Sequence, residues 1–334
     1  MYRDGVLALD IRLGDAAAPG MRLEWFSATK PVTAVAIHML VERGALDPDM
    51  RIAEVWPEFA QGGKDACTVR HVLTHQGGFP VFPSDFPPDR VGDWDAVTAA
   101  TAALPALWPP GAATGYHPLT YGYALGEVIR RVDGRMPRDF FAQEIFGPLG
   151  MEASLGLTDA EDVSVVGLPR AMSDVTFEDP EGTEHRTSRI AALFASPQVL
   201  RAQVPAANGI GTAAALARFY AMLEQGGALG TSTGGVRILR AETVAEVTRV
   251  HVATERDLSS GLPASYGLGF VAGGVFAPFD RAGVYGHGGQ QCAISYADPS
   301  LGLAVAYVTN GLHDPLVVQL RTEEMVQAIA EACE

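Results

Sequence analysis

The chain has 334 residues, of which 48% are hydrophobic and 19% charged, with a formal net charge of −15 at pH 7. This length and balance are typical of a soluble globular protein with a sizeable core, in one large or two modest domains. The acidic balance argues against nucleic-acid or anionic-membrane partners, because no basic block offsets repulsion from phosphates, so we expect a small-molecule partner.

The first predicted elements are two short strands and a buried helix. Residues 5–13 alternate apolar with polar side chains, which predicts a half-buried strand, and a second short strand is predicted over 21–26. Helical spacing follows from Ser27 to Arg43, with Pro31 in the first turn and Gly44 at the C-terminal end. We expect Ser27 to cap this helix. We also expect the helix to lie between two layers, because it is apolar nearly all round.

Helices dominate the middle of the chain and strands its end. The predicted helices lie at 68–75, 93–104, 120–134, 137–146, 213–225, 241–250 and 315–332, and the predicted strands at 266–272, 283–287, 292–297 and 302–308. The stretches 76–95 and 155–207 read as a long loop and an irregular connection. Strands at both ends with helices between them predict one discontinuous α/β domain, 1–44 with 208–334, and an inserted mostly helical domain, 45–207, with long loops.

The stretch Ser27-Ala28-Thr29-Lys30 places a hydroxyl and an amine three residues apart, on one face of a helix. A serine hydroxyl needs a nearby base to become a nucleophile, and a lysine can serve only if its pKa is lowered. An arginine stays protonated and cannot serve. Only two of the 24 basic residues are lysines, Lys30 and Lys64, and one stands at this position. A capping serine followed by a solvated lysine remains the alternative, because S-x-x-K alone is short.

Two rival sites can be weighed from the sequence. The stretch Gly230-Thr231-Ser232-Thr233-Gly234 matches G-x-S-x-G, which needs a strand before the serine and a helix after it. A predicted helix ends just before this match and a polar turn follows, so we interpret the match as a coincidence in a loop. His71 and His75 have the spacing of two zinc ligands, but the glutamate of H-E-x-x-H is missing and no third ligand follows. We therefore expect no metal site.

Four motifs occur in order along the chain: Ser27-Ala28-Thr29-Lys30, Leu73-Thr74-His75-Gln76-Gly77-Gly78, Tyr116-His117-Pro118-Leu119-Thr120-Tyr121-Gly122 and Tyr285-Gly286-His287-Gly288-Gly289. Together they resemble the serine β-lactamase and penicillin-binding protein superfamily, most closely its class C-like esterase branch, the family VIII carboxylesterases. The resemblance runs over almost the whole chain. It implies an α/β (α+β) two-domain fold, in which an antiparallel sheet is flanked by helices and a mostly helical domain is inserted.

By this resemblance, Ser27 is the acylated nucleophile, Lys30 its general base and Tyr116 the residue that relays the proton. A phenol beside a buried amine can share its proton, which supports that role, whereas Tyr116 taken alone is typical of aromatic packing. The oxyanion hole is implied to use the main-chain N–H groups of Ser27 and Gln290, beside the third motif, His287-Gly288-Gly289.

Two departures from the family pattern bear on the activity. His287 stands where lactamases and peptidases carry the lysine of K-T-G, and Pro118 stands where they carry an asparagine. The resemblance implies that the lysine holds a substrate carboxylate and that the asparagine binds an acylamino side chain. Esters need neither, and a neutral His287 can offer a hydrogen bond near the acyl oxygen. We therefore expect a carboxylesterase-type serine hydrolase without a metal or organic cofactor.

Other functions stay open at this point. An acyltransferase, transesterase or amide-forming enzyme with an organic acceptor would use the same acyl-enzyme. A β-lactamase, a D-alanyl-D-alanine peptidase, a non-catalytic binding protein of the same fold and a zinc hydrolase are weaker alternatives. We expect the stretch 169–205 to act as a lid. We also expect an apolar substrate pocket lined by Phe79, Phe82, Phe86, Trp94 and His117.

The remaining expectations concern location and assembly. Cys67, Cys292 and Cys333 are odd in number and far apart, which indicates a reducing cytoplasm rather than a disulfide framework. No signal peptide or membrane span is predicted. Relatives usually carry a helix and a further strand ahead of S-x-x-K, whereas only 26 residues precede Ser27. Either the sheet is shortened or the start of the chain is trimmed, and we expect an apolar patch beside the last helix, which allows a homodimer.

Overall fold

The structure is a computed structural model that describes residues 1–14, 18–158, 161, 163–178, 180–230, 235–274 and 281–333. Ten α-helices lie in these ranges: α1 (Lys30–Glu42), α2 (Val69–Leu73), α3 (Trp94–Ala103), α4 (Thr120–Asp133), α5 (Pro137–Phe141), α6 (Thr187–Phe194), α7 (Pro197–Arg201), α8 (Ala213–Glu224), α9 (Ala241–Thr248) and α10 (Pro315–Cys333). No helix within them is long and apolar enough to cross a membrane.

The same ranges contain seventeen short strands: β1 (Tyr2–Arg3), β2 (Val6–Leu7), β3 (Leu23–Glu24), β4 (Ala153–Leu155), β5 (Arg170–Ala171), β6 (Thr176–Glu178), β7 (Glu184–Arg186), β8 (Gly209–Gly211), β9 (Ala228–Leu229), β10 (Val236–Arg237), β11 (Val252–Thr254), β12 (Ala264–Tyr266), β13 (Val271–Gly274), β14 (Tyr285–Gly289), β15 (Ala293–Asp298), β16 (Leu303–Val308) and β17 (Gly311–Leu312). Eight of them form an antiparallel sheet in the order β11-β12-β13-β14-β15-β16-β1-β2. Tyr2 lies opposite Ala304, so a strand from the start of the chain and strands from its last third share one sheet.

Helices cover both faces of this sheet. Successive side chains of a strand point to opposite faces, and β15 carries apolar side chains on both. Ala293 and Ala297 of β15 belong to the main core, and α8 packs against β15 and β16. Ile294 and Tyr296, which lie between these two residues on the strand and point to its other face, form a second cluster with Ile329 of α10. This arrangement confirms the predicted α/β fold class, with an antiparallel sheet between helices.

Helix α1 joins the sheet to the helical region. Every residue from Lys30 to Leu40 is buried, and α1 contacts α4, α5 and β14. The prediction of a helix buried between two layers is therefore confirmed. The helices predicted at 68–75, 93–104, 120–134, 137–146, 213–225, 241–250 and 315–332 also occur, as α2 to α5 and α8 to α10. The bounds of the two predicted domains remain a prediction.

The strand predicted over 5–13 is wrong. Only Val6 and Leu7 form a strand, which pairs with β1 at the edge of the sheet. The side chains of Leu9, Ile11 and Leu13 are exposed. An alternation of apolar and polar side chains is typical of a strand with one face covered. A strand forms only where a neighbouring strand pairs with its backbone N–H and carbonyl groups.

The strand predicted over 266–272 is also wrong, because this stretch holds a tight connection between β12 and β13. Gly269 has φ +96°, and a Cβ atom there would lie 2.2 Å from the Cβ atom of Ala34 on α1. The backbone approaches α1 so closely that only glycine fits. The stretch 155–207, predicted to be irregular, contains the helices α6 and α7.

Candidate active site

Ser27 lies at the end of a strand and at the start of a tight turn. The chain leaves β3, passes through Phe26 at φ +46° and forms a 3₁₀ turn over Phe26–Thr29 before α1 begins at Lys30. The predicted N-cap role of Ser27 is therefore wrong, since its side chain caps no helix. Ser27 is partly exposed although its neighbours from Leu23 to Lys30 are buried, so its hydroxyl lies at the surface of a packed region.

The Lys30 amine is enclosed by oxygen atoms. Its Nζ atom lies 3.0 Å from Ser27 Oγ, 2.8 Å from the Pro118 carbonyl oxygen and 3.2 Å from the Ala206 carbonyl oxygen. The side chain is 0% exposed, and this burial holds the pKa of Lys30 well below its usual value. A neutral amine has two hydrogens, which suit the two carbonyl oxygens, and one lone pair that can accept the Ser27 proton.

Tyr116 lies on the other side of this pair. Its ring centroid is 4.7 Å from Lys30 Nζ, and its side chain is hydrogen-bonded to Ser27. Burial raises the pKa of Tyr116, and the bond to Ser27 opposes that rise. The phenol is therefore protonated at neutral pH and able to donate. The structure thus brings together the hydroxyl, the amine and the phenol that the sequence predicted.

The third motif lies on β14, directly beside the Ser27 turn. A Cβ atom on Gly289 would lie 2.1 Å from the carbonyl oxygen of Trp25, so a glycine is required for this approach. Gln290 follows in the turn that leads to β15. Among the backbone hydrogen bonds of the described residues, neither the Ser27 amide nor the Gln290 amide donates to another group. Their role as an oxyanion hole remains a prediction.

His287 on β14 is buried next to Tyr116, with ring centroids 5.9 Å apart. Its Nδ1 atom lies 2.6 Å from the carbonyl oxygen of Gly288, which fits an Nδ1–H donor. Burial lowers the pKa of His287 to about 3, with a smaller effect from Lys30, so the ring is neutral at pH 7. The Nε2 atom is buried and has no hydrogen-bond partner among the described residues.

Two residues predicted for the pocket support the backbone beside Tyr116. The ring of His117 is fully buried, with Nδ1 2.6 Å from the carbonyl oxygen of Gly115 and Nε2 accepting the Phe79 N–H at 3.2 Å. The Phe79 ring is also buried and packs edge-on against His117, with centroids 4.9 Å apart. Both ring nitrogens of His117 are thus engaged by the backbone.

The other predicted pocket residues gather around Tyr123 on α4. Phe82 lies 5.2 Å and Trp94 6.2 Å from the Tyr123 ring, centroid to centroid, and Phe86 packs against Phe82. The Trp94 indole donates to Glu127 at 2.8 Å. None of these contacts involves the Ser27 turn, so the structure does not bring this aromatic group together with the catalytic set. Its role in the pocket remains a prediction.

A different aromatic side chain covers the Ser27 turn. Phe194 of α6 packs against Phe26, with ring centroids 4.7 Å apart. At the start of the same helix, Thr187 donates to the side-chain oxygen of Gln291 at 3.4 Å, beside the predicted oxyanion residue. The spacing of apolar residues over 187–194 is typical of a helix, but the acidic and proline residues around it led to the prediction of an irregular connection.

The rival sites take other roles or lie elsewhere. His71 Nδ1 accepts the Thr68 N–H at 3.2 Å, and His75 Nδ1 accepts the His117 N–H at 3.1 Å. Each histidine therefore uses one ring nitrogen to hold the backbone. Ser232 and the neighbouring residues of its motif, 231–234, lie outside the described residues.

Comparisons with known proteins show the family of the chain. A family model described as Beta-lactamase matches residues 2–329. Esterase/beta-lactamase LipL of Mycobacterium tuberculosis (strain ATCC 25618 / H37Rv) is 32% identical, over 95% of this chain and 77% of LipL.

Solved structures give the same result. A penicillin-binding protein homologue from Caulobacter crescentus is 36% identical with a TM-score of 0.77, covering 93% of this chain and 84% of its own. A family VIII carboxylesterase is 26% identical with a TM-score of 0.74, covering 92% and 84%. EstA from Arthrobacter nitroguajacolicus Rue61a is 27% identical with a TM-score of 0.82, covering 98% and 91%.

The fold, together with these relatives, defines a serine hydrolase. More particularly, the chain belongs to the Beta-lactamase family.

Proposed function

We propose that this enzyme hydrolyses esters through an acyl-enzyme on Ser27, with Lys30 as general base and Tyr116 as proton relay. The observation that carries the proposal is the surroundings of Lys30: a fully buried amine, with two carbonyl oxygens for its hydrogens, 3.0 Å from Ser27 Oγ. A buried amine of lowered pKa has a lone pair available for the serine proton at neutral pH.

The proposed reaction has two halves. In the first, Ser27 Oγ attacks the ester carbonyl carbon while its proton passes to Lys30 Nζ. The bond to the leaving alcohol then breaks, and Tyr116 passes the proton from the amine to the departing oxygen. In the second half, water attacks the acyl carbon and gives its proton to the same pair of groups. This pair returns the proton to Ser27 Oγ as the bond between the acyl carbon and Oγ breaks and the acid is released. The amides of Ser27 and Gln290 would hold the negative oxygen in both halves.

The proposed substrate is an ester without a carboxylate near the scissile bond. Burial lowers the pKa of His287 to about 3, so this ring is neutral where β-lactamases and peptidases carry a lysine and does not attract an anion. Pro118 offers no side-chain amide for an acylamino group. The names of EstA and the family VIII carboxylesterase support an esterase, the name of LipL joins esterase with beta-lactamase, and the Caulobacter crescentus protein is named for penicillin binding.

The test combines covalent labelling with substrate comparison. After exposure to a fluorophosphonate, intact-mass spectrometry should show one adduct on the parent enzyme and none on Ser27→Ala. Ser232→Ala is the control and should label and turn over short-chain nitrophenyl esters within a few-fold of the parent. Labelling that survives Ser27→Ala and disappears in Ser232→Ala would overturn the choice of nucleophile.

Substrate class is measured separately. A short-chain nitrophenyl ester should be turned over with a kcat/KM at least 10²-fold higher than that of a chromogenic cephalosporin or a D-alanyl-D-alanine peptide. The reverse order would assign the enzyme to the lactamase or peptidase branch. Millimolar alcohols and amines should leave hydrolysis as the main outcome, and capture of most of the acyl group by one acceptor would assign an acyltransferase.

A further inference from the structure

The backbone that carries Tyr116 is held at every amide. The Gly115 N–H donates to the His75 carbonyl oxygen at 3.0 Å, and the His117 N–H donates to His75 Nδ1 at 3.1 Å. Between them, the Tyr116 N–H donates to Asp257 Oδ1 at 3.2 Å. Two distant parts of the chain therefore fix three consecutive amides, and the central one depends on a carboxylate that the sequence analysis did not single out.

Asp257 is a fully buried acceptor of four hydrogen bonds. Its Oδ1 atom accepts the N–H groups of Tyr116, Ser259 and Ser260 at 3.2, 3.0 and 3.1 Å, and its Oδ2 atom accepts the Tyr266 hydroxyl at 3.1 Å. Within the described ranges no lysine or arginine forms an ion pair with it. All four partners are neutral donors. Hydrogen bonds from neutral groups therefore hold the carboxylate in place, and not an ion pair with a cation.

The loop that carries Asp257 is docked along the Tyr116 segment. The Leu258 N–H donates to the Thr114 carbonyl oxygen at 2.8 Å, and the Ser259 hydroxyl donates to the Tyr116 carbonyl oxygen at 2.8 Å. Both backbone groups of Tyr116 are thus bound by this loop, which connects β11 to β12 of the main sheet. The loop therefore connects the main sheet to the segment that carries Tyr116.

We propose that Asp257 is a positioning residue for Tyr116, which fixes the backbone from which the phenol reaches Ser27. The proposal rests on the proposed function, because it matters only if Tyr116 relays the proton. A displacement of about 1 Å in a catalytic group costs about 10²-fold in rate, so an anchor on the Tyr116 amide affects turnover without touching substrate. The negative charge of Asp257 also favours the protonated phenol.

The test uses matched variants of Asp257 and its partners in two backgrounds, the parent and Tyr116→Phe. Asp257→Ala should lower kcat for a nitrophenyl ester by about 10- to 100-fold with KM changed by less than about threefold. Asp257→Asn should restore kcat to within about fivefold of the parent, because its amide oxygen still accepts the Tyr116 N–H. Tyr266→Phe, which removes only the bond to Oδ2, is the control and should keep kcat within about twofold.

The Tyr116→Phe background separates positioning from general damage, because a residue that acts through the phenol has nothing left to position there. Asp257→Ala should then cost less than about threefold. An equal loss in both backgrounds, or a parent-like kcat for folded Asp257→Ala, would overturn the inference. If Asp257→Ala does not fold, Ser259→Ala takes its place. This variant should lower kcat in the parent background and leave it unchanged in the Tyr116→Phe background. An unchanged kcat in the parent background would contradict the proposal.

Failure of the proposed function gives a different result. If Tyr116→Phe alone keeps kcat within threefold of the parent, the phenol is not the relay, and both proposals fall at that step. If Tyr116→Phe is damaging but the Asp257 and Ser259 variants are not, only the positioning role is wrong. Fluorophosphonate labelling of Ser27 in each variant reports separately whether the nucleophile is still active.

Discussion

Replacement of Lys30 by arginine tests whether its proton or its charge matters. Arginine keeps a cation at this position but cannot give up its proton at any pH used for assay. If Lys30 is the general base, Lys30→Arg should be nearly as inactive as Lys30→Ala. If Lys30 acts as a fixed positive charge, the arginine variant should remain active.

The expected magnitude follows from the surroundings of Nζ. Loss of one positioned proton-transfer group costs about 10²- to 10⁴-fold in kcat, which is about 2.7 to 5.4 kcal/mol of transition-state stabilisation. Lys30→Ala also leaves the Pro118 and Ala206 carbonyl oxygens without their partner, at about 1–3 kcal/mol of folding stability each. Lys30→Arg instead buries a charge with no carboxylate paired to it among the described residues, so its melting temperature should also fall.

The second lysine is a matched control. Lys64 is also fully buried, and its Nζ atom donates to the carbonyl oxygens of Gln61 at 2.8 Å, Ala102 at 3.0 Å and Leu104. Burial lowers the pKa of Lys64 to about 8. Lys64→Met should therefore lower the melting temperature by a similar mechanism but keep kcat per folded enzyme within about threefold, because the hydrogen-bond partners of its amine are backbone carbonyl oxygens and not a serine hydroxyl.

The assay measures kcat and KM with a nitrophenyl ester, the rate of fluorophosphonate labelling, and the melting temperature of each variant. Activity of Lys30→Arg above about a tenth of the parent value would show that Lys30 is structural. A loss of kcat in folded Lys64→Met equal to that in Lys30→Ala would show that the activity assay reports stability and not the base.

Buried groups of the site give three further expectations. Tyr116→Phe should lower kcat by about 10²- to 10⁴-fold with labelling of Ser27 slowed in parallel, and a change of less than threefold would assign the phenol to packing. Activity should fall as the pH drops through the lowered pKa of Lys30, because the base works unprotonated, and a kcat/KM that does not decline with falling pH anywhere in the range where the enzyme stays folded would contradict this. Stability should also fall in acid: burial lowers the pKa of His38 to about 4 and of His117 and His287 to about 3, so between pH 6.5 and about 4 the unfolded chain binds protons that the folded chain does not. Each histidine then costs about 1.4 kcal/mol per pH unit, and equal urea midpoints at pH 7.5 and 5 would refute the reasoning.

The sequence by itself determined the local part of the site. The three-residue spacing of Ser27 and Lys30 places the hydroxyl and the amine within reach of each other, and in the structure they lie 3.0 Å apart. The apolar periodicity of α1 likewise determined that the helix is buried. The order of the four motifs indicated which distant segments belong with Ser27, and the structure places Tyr116 beside Lys30 and His287 beside Tyr116.

Only the tertiary structure decided what makes this pair reactive and what holds it. The carbonyl oxygens of Pro118 and Ala206 come from segments far from Lys30, and no local pattern marks a carbonyl as a partner of a buried amine. The bond between Tyr116 and Asp257 joins residues 141 positions apart. The prediction of a strand over 5–13 was wrong for the same reason. Hydrogen bonding and burial depend on which residues are neighbours in space, whereas periodicity indicates only which side chains of a segment share one face.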